Sequence, residues 1–298
     1  MPAPTPFQNQ SKPLKIWVLL ILLAITWGSS FILIKRGLQA FSPMQVGAMR
    51  VFIAFLFLLP FWWRVKKHEA KASKLPYILI VGAIGSALPA VLFAIAETGL
   101  SSSVAGVLNS LTPLFTLLMG VLIYRNTVKS TQVLGVIIGF ASAASLIVMN
   151  GDGNNNMQLG YGLLIVLATL CYAISATTVK ARLAGISSVS ITTMAFSFTG
   201  PFAGLYLWYS GAFGLIVKQP LAREALVYLA ILGALGTAYA WFVYNYLIQS
   251  TSALFASAVT YLMPIVALLW GLADGEALGP IHVASMALIL LGVWLTGR

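Results

Sequence analysis

The chain has 298 residues, of which 60% are hydrophobic and 8% are charged, and its formal net charge is +11. An ordinary soluble domain has about 45–50% apolar and about 25% charged residues, so the composition excludes that class and indicates a protein embedded in a membrane. The one cysteine, Cys171, excludes a disulfide within the chain.

The chain begins with a polar tail, residues 1–15, which is followed by ten apolar segments. Each segment has about 19–24 residues, enough to cross the ~30 Å hydrocarbon layer as a helix. In chain order the segments are 16–34, 44–63, 75–96, 101–123, 130–149, 159–179, 190–209, 225–248, 253–273 and 279–297. The apolar runs are continuous, and unpaired backbone groups are costly in lipid, so we expect helices and not barrel strands. The predicted fold class is an all-α integral membrane protein with ten transmembrane helices.

The first apolar segment is interpreted as a membrane span, because it is longer than a typical signal-peptide core and shows no clear small-residue cleavage site. Basic residues then predict the orientation. With the N-terminus in the cytoplasm, the inside segments hold twelve Lys and Arg residues and the outside segments hold four, so both termini are predicted to be cytoplasmic. The basic run RVKKHEAKASK, residues 64–74, is then an orientation signal that contacts lipid headgroups, and no nucleic acid is expected as a partner.

An internal repeat divides the chain into two halves. A shift of 151 residues aligns 85–120 with 236–271 and leaves nine of the 36 positions identical, and a shift of 145 aligns Trp27–Lys35 with Tyr172–Lys180. The predicted units are 16–149 and 159–298, joined by the polar linker 150–158. Because each unit has five spans, an odd number, the second enters the membrane from the opposite side and the repeats are inverted.

Inverted repeats indicate transport. Two similar halves in opposite orientations give a protein two related conformations, one open to each side, with a solute site between them near the middle of the membrane. Channels can share this architecture, so a channel-like pore stays open as an alternative.

Two prolines at equivalent repeat positions, Pro113 and Pro264, are predicted to kink the fourth and ninth spans. Each proline removes one backbone hydrogen bond and displaces the carbonyl four residues earlier, which belongs to Asn109 or Thr260. A free carbonyl beside a polar side chain is one way to build a solute site within a membrane. The alternative is that the kinks serve packing and that Asn109 bonds a neighbouring helix.

Several stretches resemble EamA-type members of the drug/metabolite transporter superfamily. These are WGSSF in the first span, GAMRVFIA in the second, GTAYAWFVYNYL in the eighth and STSALFASAVTYLMPIVALLWGLADGE across the ninth. The resemblance covers 16–149 and 159–297 and implies a basket of ten helices in which spans three, four, eight and nine surround a central cavity. It also implies small metabolites, amino acids or drugs as cargo, often exported. The second unit keeps the family's Gly275 and Glu276, whereas the first has Tyr124 and Arg125 there.

Arg50 is a charged residue within the second span, about 9 Å from the start of that span. Its side chain is expected either to snorkel to the membrane surface or to face the cavity and bind an anionic part of the cargo. At the 145-residue shift its counterpart is Ala195, so the repeat does not demand the charge. Glu97, at the outer end of the third span, is the candidate partner of Arg50 in a gate or in proton coupling, and an ordinary interfacial glutamate is the alternative.

Aromatic residues supply the rest of the predicted substrate site. The candidates are Trp27, Tyr172, Tyr239, Trp241 and Tyr244, together with Asn245. Helix packing is the alternative for each of these rings. Tyr239 and Trp241 are two residues apart on one helix, so at most one of them is expected to face the cavity.

The sequence contains no HExxH, CxxC or GxxxxGK[ST] motif, and we expect neither an enzyme nor a metal or cofactor site. The predicted function is secondary transport of small metabolites, amino acids or related amphipathic solutes, by alternating access, as an exporter, facilitator or exchanger. A proton-coupled drug or nucleobase transporter and a receptor are further alternatives. Short loops fit a bacterial inner membrane, and the sequence does not choose between a monomer and a homodimer.

Overall fold

A computed structural model describes residues 13–66, 69, 71–124, 129–149, 155–276 and 279–296. In these ranges all regular secondary structure is helical. The tail at 1–12 and most of the linker at 150–158 lie outside the described residues. Besides the short helix Ala212–Lys218, the described ranges hold ten long helical segments, several of them interrupted: α1 (Leu14–Leu38), α2 (Pro43–Arg64), α3 (Ala72–Ala96), α4 (Ser102–Leu122), α5 (Ser130–Met149), α6 (Asn155–Arg182), α7 (Ser188–Tyr209), α8 (Pro220–Ser250), α9 (Ala253–Ala273) and α10 (Pro280–Thr296).

Seven of these segments, α1 to α4, α6, α8 and α9, are long and apolar enough to cross a membrane. An eighth span results if α7 is joined to the short helix Ala212–Lys218, which is bent from it by 59°. In α5 and α10 the apolar stretches are shorter, Ser130–Leu146 and Val283–Gly292. The chain is therefore an all-helical integral membrane protein with seven or eight candidate spans.

Serine side chains begin four of the helical pieces. Ser42, Ser101, Ser187 and Ser252 each accept a hydrogen bond from the backbone N–H three residues later. This contact satisfies one of the N–H groups that have no partner in the first turn of a helix. These caps set where α2, α4, α7 and α9 start.

Both halves of the chain contain a π-helical turn at the same place in the repeat. The first turn is Ile80–Ala87 in α3 and the second is Ala234–Tyr239 in α8. Gly85 and Gly236, which correspond at the 151-residue shift, lie within them and pack against the Ser175 and Ser30 hydroxyls, so neither position has room for a side chain. Ser30 and Ser175 themselves correspond at the 145-residue shift.

The two sequence-repeat prolines follow breaks in α4 and α9. In α4 one helical piece ends at Asn109 and the next begins at Thr112, next to Pro113. In α9 a 3-10 turn, Ala258–Tyr261, separates two helical pieces, and Pro264 is the second residue of the later one. Proline tolerates this position because the N–H that it lacks has no partner in the first turn of a helix.

Candidate functional site

A central cavity lies where α1, α2, α3, α4, α6, α8 and α9 meet. This arrangement adds α1, α2 and α6 to the four spans that the family resemblance implied. Seven of the predicted site residues line the cavity: Trp27, Arg50, Asn109, Tyr172, Trp241, Tyr244 and Thr260. The other lining residues were not among the predicted site residues: Ser30, Phe31, Ile34, Phe93, Thr112 and Met263.

Aromatic rings form two matching pairs in the wall. Trp27 and Tyr244 meet edge to face with ring centroids 4.9 Å apart, and Phe93 stacks on Tyr172 at 6.0 Å. Trp27 corresponds to Tyr172 at the 145-residue shift, and Phe93 to Tyr244 at the 151-residue shift. Comparing the repeats would therefore have found Phe93. Trp241 contacts three of these four rings, at centroid distances of 5.6 to 6.1 Å, so the wall is a continuous aromatic surface.

Arg50 is 6% exposed and lines the cavity, so its side chain does not snorkel to the membrane surface. Its Nε–H donates to Thr237 Oγ1 at 2.8 Å, and the Thr237 hydroxyl donates to the Leu232 carbonyl at 2.8 Å. In the ranges that the structure describes, Arg50 has no carboxylate within 4.0 Å. The guanidinium is thus anchored at one nitrogen and has no ion-pair partner.

Glu97 is also buried, at 7% exposure, and does not line the cavity. One carboxylate oxygen lies 3.5 Å from the Ser102 hydroxyl, and the other has no hydrogen-bond partner among the described residues. The Glu97 side chain is therefore covered by protein and is not exposed at the end of its helix. In this conformation Glu97 and Arg50 are farther apart than an ion pair allows.

The kinked helices do not present free carbonyls to the cavity, so that expectation is wrong. The Thr112 hydroxyl donates to the Asn109 carbonyl at 2.8 Å, and the Ser110 hydroxyl donates to the Thr260 carbonyl at 2.9 Å. The second contact joins the break in α4 to the break in α9. The side-chain oxygen of Asn109 has no partner among the described residues, so it is the free hydrogen-bond acceptor at this place.

Two predicted site residues lie elsewhere. Tyr239 is 42% exposed, while Trp241 on the same helix is buried in the cavity wall, as expected for residues two apart. Asn245 is buried and donates to Thr192 Oγ1 at 3.0 Å, which joins α8 to α7. Neither side chain contributes to the cavity.

One end of the helices is held together by an ion cluster, which we name the Lys35 cluster: Lys35, Arg36, Asp274, Glu276 and Ser103. Lys35 Nζ lies 2.6 Å from Asp274 and 3.0 Å from Glu276, and Arg36 pairs with Asp274. Glu276 also accepts hydrogen bonds from the Ser102 and Ser103 N–H groups and from the Ser103 hydroxyl, at 3.0, 3.2 and 2.6 Å. A carboxylate at the N-terminus of a helix is stabilised there, so the cluster ties α1 and α9 to α4.

The ion cluster lowers the pKa of both carboxyl groups. The hydrogen bond from Lys35 holds the pKa of Asp274 below its ordinary value. Burial alone would raise the pKa of Glu276, but hydrogen bonds from Ser103 and Lys35 outweigh burial, and the pKa lies below its ordinary value. Both groups therefore act as carboxylates near neutral pH.

At the opposite end, Lys180 takes the place that Lys35 has in the first repeat. Its Nζ donates to the backbone carbonyls of Ile248, Gln249 and Thr251, at 3.2, 3.3 and 2.7 Å. These carbonyls lie at the C-terminus of α8, where a cation is stabilised by the helix dipole. The helices are therefore held together by ion pairs at one end and by contacts from Lys180 to backbone carbonyls at the other.

The comparisons with known proteins agree with this architecture. The model of the EamA-like transporter family matches residues 14–148 and 159–298. The inner membrane transporter YedA of Escherichia coli K12 is 28% identical over 93% of this chain and 88% of its own length. A protein of Archaeoglobus fulgidus named as a transporter is 26% identical over 96% and 99%.

Two further matches cover nearly the whole chain. A Streptantibioticus cattleyicolor protein named "Probable terminal-alkyne amino-acid exporter" is 24% identical over 95% of this chain and 93% of its own length. A solved crystal structure superposes with a TM-score of 0.66 at 14% identity, covering 94% of this chain and 96% of that one, and so shares the fold. From the family match over both halves, the chain belongs to the EamA-like transporter family.

Proposed function

We propose that this protein is a secondary transporter that moves small amphipathic solutes, amino acids or related metabolites, through the central cavity by alternating access. The observation that carries the proposal is the position of the cavity between two separate sets of interhelical contacts, the Lys35 cluster at one end and the Lys180 contacts at the other, which we take as its two closures. Opening one closure while the other stays shut would expose the cavity to one side at a time. The transporter names of the relatives support the same function.

The topology that suits this function is ten transmembrane helices in two inverted units, 16–149 and 159–298, with 150–158 as the linker. The matched π-turns, aromatic pairs and proline-associated breaks support two related units. The excess of basic residues on one side supports cytoplasmic termini, with the Lys35 cluster facing outward. The relative named as an inner membrane transporter supports a bacterial inner membrane as the location.

The proposed substrate site consists of the seven predicted residues that line the cavity. Its aromatic wall would contact the apolar part of a solute, while Arg50 and the Asn109 amide oxygen would contact polar groups. We assign Pro113 and Pro264 to the hinges of α4 and α9, since each helix is interrupted just before its proline. Arg50 and Glu97 are assigned to gating, as a pair that would form in a conformation that brings the two side chains together.

Alternating access is tested by labelling a cavity cysteine from each side of the membrane. The protein carries Cys171→Ala and Thr260→Cys, and membrane-impermeant thiol reagents are applied to either face. Glu276→Gln weakens the Lys35 cluster, so we expect faster labelling from the outside. The outward-open and inward-open conformations are in equilibrium, so an increase in the first lowers the population of the second. Labelling from the inside should therefore become slower by a similar factor.

Opposite changes in the labelling rates from the two faces distinguish a transporter from a channel-like pore and from a receptor. A channel-like pore would gain labelling from the outside without losing it from the inside, and a receptor with a fixed closed cavity would change in neither direction. Glu224→Gln is the matched control, because it neutralises an exposed carboxylate at the start of α8, the same end of the molecule, away from the Lys35 cluster. Equal labelling rates in Glu276→Gln and the parent protein would contradict the proposal.

A further inference from the structure

The Arg50 side chain is held by one nitrogen only. Its Nε–H donates to Thr237, and the Thr237 hydroxyl in turn donates to the carbonyl of Leu232, five residues earlier. That carbonyl lies just before the π-turn of α8. The irregular turn therefore positions the Thr237 hydroxyl, which in turn positions the guanidinium of Arg50. At the equivalent positions, the second unit has Ala195 in place of Arg50 and the first unit has Ser86 in place of Thr237, so the cationic arrangement occurs once.

The two terminal amino groups of Arg50 are left for another molecule. They have no hydrogen-bond partner within the described ranges, although the residue is 6% exposed and lines the cavity. None of the described residues that line the cavity is acidic, and Glu97 attracts Arg50 electrostatically but is beyond ion-pair distance. A buried cation without a directly paired anion is costly, most of all in a membrane. The site therefore favours a ligand that brings one negative charge.

We propose that the cargo is an organic monoanion with a flat apolar body, whose carboxylate accepts two parallel hydrogen bonds from the terminal amino groups of Arg50, with Thr237 as the positioning residue. This inference rests on the proposed function, since it takes the cavity to be the cargo site. Guanidinium and carboxylate groups match as two parallel hydrogen bonds, and engagement of Nε by Thr237 leaves the Nη1/Nη2 edge for this contact.

The rings around Arg50 fit the other part of such a molecule. Trp27, Tyr172 and Tyr244 line the cavity together with Phe93, and aromatic faces stack on flat apolar groups. The Asn109 oxygen offers one hydrogen-bond acceptor to a donor on the cargo. A zwitterion would add a cationic group to a cavity that already holds a cation without a direct ion pair, so its affinity is expected to be lower than that of the corresponding anion.

Binding to the purified full-length protein in nanodiscs tests the inference with three probes that share one body: 3-phenylpropionate, phenylalanine and 3-phenylpropanamide. The readout is the dissociation constant from tryptophan fluorescence, supported by thermal shift. We expect 3-phenylpropionate to bind most tightly and the amide most weakly. Arg50→Gln should weaken binding of the anion by about 10- to 100-fold, the range for a lost hydrogen bond to a charged group, with little effect on the amide.

The ratio of anion to amide affinity identifies a positioning role for Thr237. Thr237→Val should lower this ratio by about 3- to 10-fold, a loss near 1 kcal/mol at about 1.4 kcal/mol per factor of ten, while Thr237→Ser should restore it. General damage to the cavity would weaken both probes and leave the ratio unchanged. Arg50→Lys should fall between the parent and Arg50→Gln, because a single ammonium keeps the charge without the two-pronged geometry. Arg223→Gln, an exposed cation, is the control.

Four results would overturn the inference: equal affinity for the anion and the amide, tighter binding of phenylalanine than of 3-phenylpropionate, an unchanged ratio in Arg50→Gln, or no binding of any probe. A shift of the same size with chloride at equal concentration would also overturn it, since the site would then hold any small anion. The cysteine-labelling experiment uses no carboxylate. The labelling result can therefore contradict alternating access while the binding result supports the anion preference. The opposite combination of results can be recognised in the same way.

Discussion

Hydroxyl groups of serine and threonine form hydrogen bonds with several polar atoms around the cavity, and the remaining polar atoms can bind a solute. Ser110 and Thr112 each donate to one of the two carbonyls released at the breaks of α4 and α9, so neither carbonyl is without a partner in this conformation. Thr237 occupies only one nitrogen of Arg50, and the Asn109 oxygen is left without a partner among the described residues. Buried polar groups are normally satisfied within a protein, so these two exceptions at a cavity are the groups that a bound molecule would satisfy.

The carboxyl groups of the Lys35 cluster give a pH dependence whose sign follows from their pKa values. The pKa values of Asp274 and Glu276 are both lowered in the closed cluster, by the hydrogen bond from Lys35 for Asp274 and, against burial, by Ser103 and Lys35 for Glu276. Closure is thus fully stabilised above their ordinary values of about 4, and this stabilisation is lost as the pH falls through the lowered values. We expect the closure to stay unchanged between about pH 5.5 and pH 8 and to open only under stronger acid.

Spin labels at the exposed positions Gln39 and Leu272, near the ends of α1 and α9, measure this opening as a distance in frozen samples. The distance distribution should be constant down to about pH 5 and lengthen near pH 3, and Glu276→Gln should lengthen it already at neutral pH. A change between pH 6 and pH 8 would show that a different group controls the closure.

At the scale of the helix, glycine permits contacts that no other residue would allow. Gly292 of α10 faces Gly135 and Gly139 of α5, and a Cβ added at Gly292 would lie 2.6 Å from the Gly135 carbonyl oxygen and 2.8 Å from the Gly139 nitrogen. Small residues spaced by four allow helices in membranes to approach closely. The spacing of Gly135 and Gly139 is visible in the sequence, but the partner helix is not, because nothing in the local pattern specifies which distant segment packs against these glycines.

Gly292→Ala should destabilise the protein by about 1–3 kcal/mol, the usual cost of overpacking, because the obstacles are backbone atoms that cannot rotate away. Gly120→Ala is the matched control, since a Cβ there meets nothing within 4 Å, and alanine is favoured over glycine in a helix by up to about 1 kcal/mol. Thermal unfolding in detergent compares the two variants. Equal midpoints would show that α5 and α10 are not packed as described.

For the whole molecule, the sequence predicted those features that a run of residues or a repeat within the chain makes visible. Continuous apolar runs placed the helices, and the 151- and 145-residue shifts paired Pro113 with Pro264 and Trp27 with Tyr172. Burial of Glu97, satisfaction of the Thr260 carbonyl by Ser110 and the Thr237 contact of Arg50 could not be predicted, because each depends on residues from segments far apart in the chain. Phe93 was within reach of the repeat comparison, as the counterpart of Tyr244.

The inverted arrangement of the two units predicts which face of the membrane each loop reaches. Gln39 and Ala184 correspond at the 145-residue shift, and both are exposed, one after α1 and the other after α6. In parallel repeats equivalent loops lie on the same face, whereas inversion sends them to opposite faces. The Lys35 cluster and the Lys180 contacts already lie at opposite ends of the helices, so Gln39 should lie outside the cell and Ala184 inside.

Single cysteines in a Cys171→Ala background test this with an impermeant maleimide on intact bacteria. Gln39→Cys should be labelled at once, and Ala184→Cys only after permeabilisation. Ser73→Cys provides the internal reference, because Lys74 bonds the Arg182 carbonyl and so brings this exposed residue to the same end as Ala184. Labelling of Gln39→Cys and Ala184→Cys from the same face would contradict the inverted arrangement of the two units. The physical reason to expect a cavity that opens alternately to the two sides would then be lost.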